Sequence, residues 1–269
     1  MSGDADTNDA PGTVRIDWNG RAIELEVAWV GDASRRAPVV VFLHEGLGSV
    51  AMWKDFPAEF CEANGLRGLV FSRYGYGRST PRPAEERWQT DFMQRQADEV
   101  LPPLFVRLNI ERPWLFGHSD GASIALLHAA RHPVAGVVVV APHIFVEDIS
   151  VESIAKAREA YATTDLRGRL ARYHADVDSA FRGWNDAWLD PAFRSWNIEG
   201  ALDSITCPVL AVQGEDDEYG TLEQVRGIAR RLPKTRLLVI PKCGHSPHRD
   251  QPALLIREAG RFIHEHTDL

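Results

Sequence analysis

Ser119 stands at the centre of Gly117-His118-Ser119-Asp120-Gly121, a Gly-x-Ser-x-Gly pentapeptide. A serine hydroxyl is a poor nucleophile at neutral pH; it needs a base to take its proton and an acid to orient that base. What surrounds the pentapeptide suits such a role. Trp114-Leu115-Phe116, set off by Pro113, reads as a short buried strand, and residues 124–130 are mostly strong helix formers. Strand, tight turn and helix around one serine make a nucleophile elbow. Gly117 and Gly121 put no side chain where strand and helix must nearly touch. The helix N-terminus beneath Ser119 offers free N–H groups and a positive dipole end to a developing anion.

A base and an acid are expected later in the chain, the acid first. Gln213-Gly214-Glu215-Asp216-Asp217-Glu218 follows one apolar strand pattern, and Cys243-Gly244-His245-Ser246-Pro247 follows the last one. Both loops fall at carboxyl ends of strands, on the same side of the sheet as Ser119. His245 is the candidate base. His248 is its rival, but Gly244 lets the chain turn tightly just before His245. Four contiguous acids ordinarily form a solvated loop; one is expected to point inward, and chemistry alone leaves open which. His118, His128 and His132 read as packing or surface residues. Acyl transfer also needs an oxyanion hole. One donor is the backbone N–H of Asp120. The other comes from His44-Glu45-Gly46-Leu47-Gly48-Ser49, with Gly46 the first choice and Leu47 the second.

The remaining pattern supplies a frame for these loops. Residues 14–18 and 21–30 alternate around Asn19-Gly20, a hairpin with a type I′ turn. Strands are expected at 38–43, 69–72, 136–141, 209–213 and 236–240. Helices are expected at 52–64, 88–108 (kinked or split at Pro102-Pro103), 222–232 and 252–264. Strands alternating with helices indicate a mostly parallel sheet covered on both faces. Between 149 and 200 the strand pattern stops, and short helices are expected at 151–161, 166–175, 178–188 and 191–196. The division is then a disordered segment at 1–12, a core at 13–142 and 208–269, and an inserted helical cap at 143–207. The cap would lie over the carboxyl ends of the strands, where such sheets bind ligands.

The chain has 269 residues, 44% of them hydrophobic, enough for one sizeable core with an insertion. Its formal net charge of −8, with no lysine- or arginine-rich block, argues against a nucleic-acid partner. No apolar run approaches the roughly 18 residues of a membrane span, and the start does not look like a signal peptide. Three cysteines, Cys61, Cys207 and Cys243, suit free thiols in a reducing compartment, so a cytoplasmic location is expected. His245 and His248 have no further ligands clustered with them in sequence, and neither a metal nor a cofactor is expected. The expected partner is a small-molecule substrate.

These residues resemble the α/β-hydrolase fold family from residue 14 to about 262. The resemblance is carried by Leu43-His44-x-Gly46, Ser72-Arg73-Tyr74-Gly75-Tyr76-Gly77-Arg78-Ser79, the elbow, Gly214-x-x-Asp217 and Gly244-His245. It implies an α/β-hydrolase fold: an eight-stranded, mostly parallel sheet with helices on both faces and an inserted helical cap. It also selects Asp217 as the acid. A serine nucleophile looks like the esterase and carbon–carbon bond hydrolase branches, not the dehalogenases and epoxide hydrolases. The implied activity is cleavage of a small to medium ester, thioester or activated amide by Ser119, His245 and Asp217 through an acyl-enzyme. A carbon–carbon bond hydrolase of ring-cleavage products and a ligand-sensing protein without turnover are the alternatives on this fold.

Departures from the family pattern mark further candidates. Ser72 stands where the family's turn has an aspartate. Glu45 stands where a glycine usually follows His44, either facing solvent or pairing with Arg73 or Arg78. Gly-x-Ser-Asp-Gly is similar to the elbow of the biphenyl-hydrolase-like valacyclovirase branch, where the acid binds an α-amino group; Asp120 could instead cap the helix. The aromatic residues of the insertion, Trp184 and Trp188 among them, could pack it onto the body or line an apolar pocket. His143 and Phe145, at the hinge of the insertion, are candidate pocket residues.

Overall fold

A computed structural model describes residues 12–32 and 37–267. The segment expected to be disordered lies outside the described residues except for Gly12, which opens the first strand. Among the described residues the strands are β1 (Gly12–Trp18), β2 (Arg21–Gly31), β3 (Val39–Leu43), β4 (Arg67–Phe71), β5 (Trp114–His118), β6 (Gly136–Val140), β7 (Val209–Gly214) and β8 (Arg236–Ile240). They form one sheet in the order β1-β2-β4-β3-β5-β6-β7-β8. β2 is antiparallel to both β1 and β4, and every other pairing is parallel. At the β1–β2 hairpin Asn19 and Gly20 have φ of 54° and 76°, as a type I′ turn requires.

The parallel strands inside the sheet, β3 and β5 to β7, are buried on both faces, which is why they read as unbroken apolar runs; the edge strand β8 is partly exposed. Val137 and Val139 of β6 face one core, Val138 and Val140 the other. The first core is closed by α2 (Phe92–Arg95), α3 (Leu101–Leu108), α4 (Asp120–Ala129) and α9 (Glu223–Arg231); the second by α1 (Phe56–Asn64) and α11 (Pro252–Glu265). Between β6 and β7 lie α5 (Asp148–Thr163), α6 (Leu166–Leu170), α7 (Val177–Trp188), a 3₁₀ turn (Pro191–Ser195) and α8 (Glu199–Leu202); α10 (Pro247–Asp250) precedes α11. α7 turns nearly all its apolar residues inward, including Phe181, Trp184 and Trp188.

Several expected helices take another form: 166–175 is helical only as α6, 191–196 forms the 3₁₀ turn, and two stretches of the core are divided. The stretch 52–64 is a 3₁₀ turn (Val50–Trp53), capped by Ser49, followed by α1. Lys54, at φ 56°, separates them, and Pro57 then occupies the first turn of α1, where a missing N–H costs nothing. The stretch 88–108 is helical from Phe92 and is split ahead of Pro102-Pro103, as expected. A π-helical turn, Gln96–Val100, joins α2 to α3, with the Leu101 N–H donating to the Gln96 carbonyl. The wider turn brings both prolines into the first positions of α3.

The turn after β4 carries a carboxylate in an unexpected way. Glu26 of β2, buried, accepts hydrogen bonds from Ser72 Oγ (2.6 Å) and the Arg78 N–H (2.9 Å). A Cβ at Gly77 would lie 2.3 Å from Glu26 Oε2, so only glycine fits there. The carboxylate missing at position 72 is thus supplied by the neighbouring strand. Glu26→Ala leaves a buried hydroxyl and an N–H without their acceptor. The expected loss is about 2–4 kcal/mol of unfolding free energy, read as a lower urea midpoint at unchanged slope.

Candidate functional site

β5 ends on His118, and the chain turns directly into α4. Ser119 between them has φ 54° and ψ −121°, and its N–H donates to the Val140 carbonyl at 2.9 Å. The turn closes tightly because two side chains are missing. A Cβ at Gly117 would lie 2.4 Å from the Gly121 carbonyl oxygen, and one at Gly121 would lie 2.1 Å from that of Leu43. Among the described residues, the backbone N–H groups of Asp120, Gly46 and Leu47 make no hydrogen bond. Free donors therefore flank Ser119 on two sides.

The loops after β7 and β8 meet beside the turn. His245 Nδ1 donates to Asp217 Oδ1 at 2.8 Å. Asp217 Oδ1 also accepts from the Tyr219 N–H (2.9 Å), and Oδ2 accepts from Gln213 Nε2 (3.1 Å). Of the four contiguous acids, Asp217 alone is buried; Glu218 accepts from the His245 N–H at 3.1 Å. Burial works against ionisation of Asp217, but the His245 bond and charge and the Tyr219 N–H outweigh it and hold the carboxyl below its ordinary range. Among the described residues no hydrogen bond joins Ser119 Oγ to His245. Both line a cavity of about 260 Å³.

That cavity collects most of the sequence candidates. Glu45, Gly46, Leu47, Asp120, His143, Trp184 and Trp188 line it with Ser119 and His245. Phe145 does not. Its carbonyl accepts from Gln224 Nε2, and it forms an isolated β-bridge with Asn197, so it ties the insertion to the body. Trp184 lies on the loop after β3, where a Cβ at Gly46 would be 2.1 Å from the indole nitrogen.

A family model described as the alpha/beta hydrolase family matches residues 40–258. The chain belongs to the alpha/beta hydrolase family. It is 28% identical over 246 residues to 2-succinyl-6-hydroxy-2,4-cyclohexadiene-1-carboxylate synthase of Enterobacter sp. (strain 638), across 80% of this chain and 88% of that protein. It is 25% identical over 184 residues to serine hydrolase BPHL of Homo sapiens, across 65% of this chain and 61% of that protein. A thermophilic esterase from Thermogutta terrifontis shares the fold, with a TM-score of 0.71 over 95% of this chain and 99% of that one, at 20% identity.

Within this α/β hydrolase the two unusual carboxylates have partners of their own. Asp120 is buried and does not cap α4 with its side chain. Its Oδ1 accepts from Trp188 Nε1 at 3.1 Å, and Arg73 Nη2 lies 3.9 Å from Oδ2. Burial raises the Asp120 pKa, and Arg73, Trp188 and His245 offset only part of that. Glu45 pairs with neither Arg73 nor Arg78 through its side chain, because the loop turns it towards β5 and α10. Its Oε2 is 3.5 Å from His118 Nδ1 and its Oε1 is 3.6 Å from Arg249 Nη2; only its carbonyl accepts from Arg73, at 2.8 Å. His118, expected to be mere packing, donates through Nε2 to the His245 carbonyl at 2.7 Å.

Several site residues had no sequence signal of their own. Tyr219 sets its ring 4.7 Å from that of His245, and Met52, Ile154, Leu170 and Arg249 complete the wall. Arg73 lay within the quoted turn motif, but nothing in one sequence ties it to Asp120. Among the described residues no group of three or more His, Cys, Asp or Glu side chains is arranged to hold a metal ion, and no helix is long and apolar enough to cross a membrane.

Buried histidines give the fold an acid-sensitive stability. Burial, reinforced by His245, pushes His143 down to about 3. The unfolded chain takes up that proton near the ordinary value of about 6.5, so stability falls as pH drops from there towards 3. The slope from one such group is about 1.4 kcal/mol per pH unit. His143→Gln should therefore flatten the pH dependence of unfolding free energy between pH 6 and 4 by about that amount, measured by urea titration at each pH.

Proposed function

We propose that the protein is a serine hydrolase that cleaves a small to medium carboxylic ester, thioester or activated amide through an acyl-enzyme. The observation that carries this reading is the buried 2.8 Å His245–Asp217 bond opening onto the same cavity as Ser119. With Nδ1 donating to Asp217, the other imidazole nitrogen is left to accept the serine proton. Ser119 attacks the acyl carbon and His245 takes the proton. The negative oxygen of the tetrahedral intermediate is held by the N–H groups of Asp120 and Gly46, with Leu47 as the alternative donor. His245 then returns the proton to the leaving group, and water repeats the cycle on the acyl-enzyme. Asp217 keeps the imidazole in the required tautomer and stabilises its cation.

The segment 143–207 is read as a cap whose Trp184 and Trp188 form the apolar wall. A cavity of about 260 Å³ lies near the lower end of the range for small-molecule sites. The environment of Asp120 favours a neutral acyl group over an amino-acid ester. Its carboxylate is already bonded to Trp188 and faced by Arg73, so little field is left to attract an ammonium.

Steady-state turnover of p-nitrophenyl acetate and butyrate is the expected outcome, abolished in Ser119→Ala, with a fluorophosphonate adduct on Ser119 seen by intact mass. Release of one equivalent followed by arrest would support the ligand-sensing alternative, and absence of both turnover and adduct would sink the serine-hydrolase reading. Asp217→Asn should lower kcat by about 10³–10⁴-fold. Asp120→Asn should lower the rates on p-nitrophenyl butyrate and on a p-nitrophenyl amino-acid ester alike; a loss confined to the amino ester would assign Asp120 to ammonium binding.

A further inference from the structure

We propose that Glu45 and His118 are positioning residues joined by an ion-pair contact between Glu45 Oε2 and a proton carried on His118 Nδ1, which ties the loop carrying Gly46 to the backbone of His245. Its effect on rate rests on the serine-hydrolase reading; the proton on Nδ1 does not. The argument begins at the other end of the imidazole. His118 Nε2 lies 2.7 Å from the His245 carbonyl oxygen. A carbonyl only accepts, so Nε2 must carry hydrogen. In a neutral ring Nδ1 would then be a bare lone pair, 3.5 Å from a carboxylate oxygen that also has only lone pairs to offer. The His118 side chain is 1% exposed and that of Glu45 is 18% exposed, so water cannot easily relieve the clash. A proton on Nδ1 turns two facing acceptors into a charge-assisted contact.

The surrounding groups do not supply that proton's charge in another way. His44, behind the loop, is fixed neutral by its bonds: Nδ1 donates to the Glu45 carbonyl and Nε2 accepts from the Arg73 N–H. His248, its ring 4.7 Å from that of His118, is pushed down to about 2 by burial, and His143 is likewise held neutral. The His245 ring is 5.1 Å from that of His118 and is committed to Asp217. Asp120, across the cavity, adds negative charge facing Glu45. Arg73 serves the Glu45 carbonyl, and Arg249, half exposed, touches only the far carboxylate oxygen. Glu45 itself is half-buried, which disfavours its charge, yet His118 overrides that and holds the carboxyl well below its ordinary range.

The couple sits where three functional segments join. Glu45 precedes Gly46, His118 precedes Ser119, and the acceptor is the His245 backbone. The Glu45 carbonyl is fixed from the opposite side by the Gly48 N–H, His44 and Arg73. The direction of the Gly46 N–H is thus set between two anchors of the preceding residue. Breaking the contact frees the loop, so kcat should fall while KM changes little, because oxyanion donors act on the transition state.

The test combines ¹⁵N-histidine NMR with kcat and KM at pH 7 on p-nitrophenyl butyrate for wild type, Glu45→Gln and Glu45→Ala, with His118 signals assigned by difference from His118→Asn. In wild type at pH 7 both His118 nitrogens should be protonated. In Glu45→Gln the amide N–H can donate to a bare Nδ1, so that proton should be gone, while kcat should stay closer to wild type than in Glu45→Ala and KM should change little in either. Glu45→Ala should lower kcat by about 10- to 100-fold, short of the about 10²–10³-fold for losing an oxyanion donor outright. A bare Nδ1 in wild-type His118 at pH 7 would overturn the proposal, as would a wild-type kcat in Glu45→Ala. Failure of the serine-hydrolase reading would look different: no turnover and no Ser119 adduct in wild type, with the NMR result still deciding the proton.

Discussion

Between β5 and α4 the structure leaves no space for a side chain at positions 117 and 121, and Ser119 is held at a positive φ as a result. Such a conformation costs on the order of 1–3 kcal/mol in a non-glycine residue. It persists because three adjacent strands enforce it: the Ser119 N–H is fixed by the end of β6, and Gly121 lies against the end of β3. These strands are parallel to β5, so their following loops all emerge at one edge of the sheet. β7 and β8 extend the same arrangement and bring Asp217 and His245 to that edge. The strained turn and the parallel sheet are therefore one constraint. The sheet supplies the force that keeps the turn closed, and the turn projects its serine where the loops converge.

At that edge three carboxylates, Glu45, Asp120 and Asp217, gather in a small volume, and their surroundings separate their behaviour. Asp217 accepts from an imidazole, a backbone N–H and a glutamine amide, and stays charged despite burial. Asp120 accepts one indole N–H and has a guanidinium 3.9 Å away, and burial raises its pKa by more than these partners lower it. The difference lies in depth and in the number and closeness of donors. A carboxylate's chemistry here follows from which donors the fold aims at it.

What could be read from sequence was whatever depends on local pattern. Unbroken apolar runs marked the parallel strands, Asn19-Gly20 marked the hairpin, and Gly117 and Gly121 marked the tight turn. The split ahead of Pro102-Pro103 was expected but its form was not, because a π-helical turn is a response to proline that periodicity does not encode. The four acids at 215–218 were equivalent to local chemistry; only the family resemblance singled out Asp217, the one the fold buries. The directions of Glu45 and Phe145 were missed for a common reason. Each is decided by a partner from a distant segment, His118 for one and Asn197 for the other, and side-chain direction across elements is a tertiary property.

Distance in sequence also hides how the sheet edge reaches the cavity. β2 pairs antiparallel with β4, with Val27 opposite Phe71, and the Ser72 N–H continues the ladder to the Glu26 carbonyl. That register brings the Glu26 carboxylate under the turn at 72–79, where it holds Ser72 and Arg78. The same turn presents Arg73, which donates to the Glu45 carbonyl and faces Asp120. A carboxylate moved from the turn to the neighbouring strand still fixes the turn, because the turn needs an acceptor at that point and not a particular residue. The cost is dependence: the guanidinium beside Asp120 is placed by a strand pairing remote from the cavity. Slippage of β2 by one residue would turn Glu26 to the opposite face, and Arg73 would lose the support that sets it against both carboxylate-bearing segments.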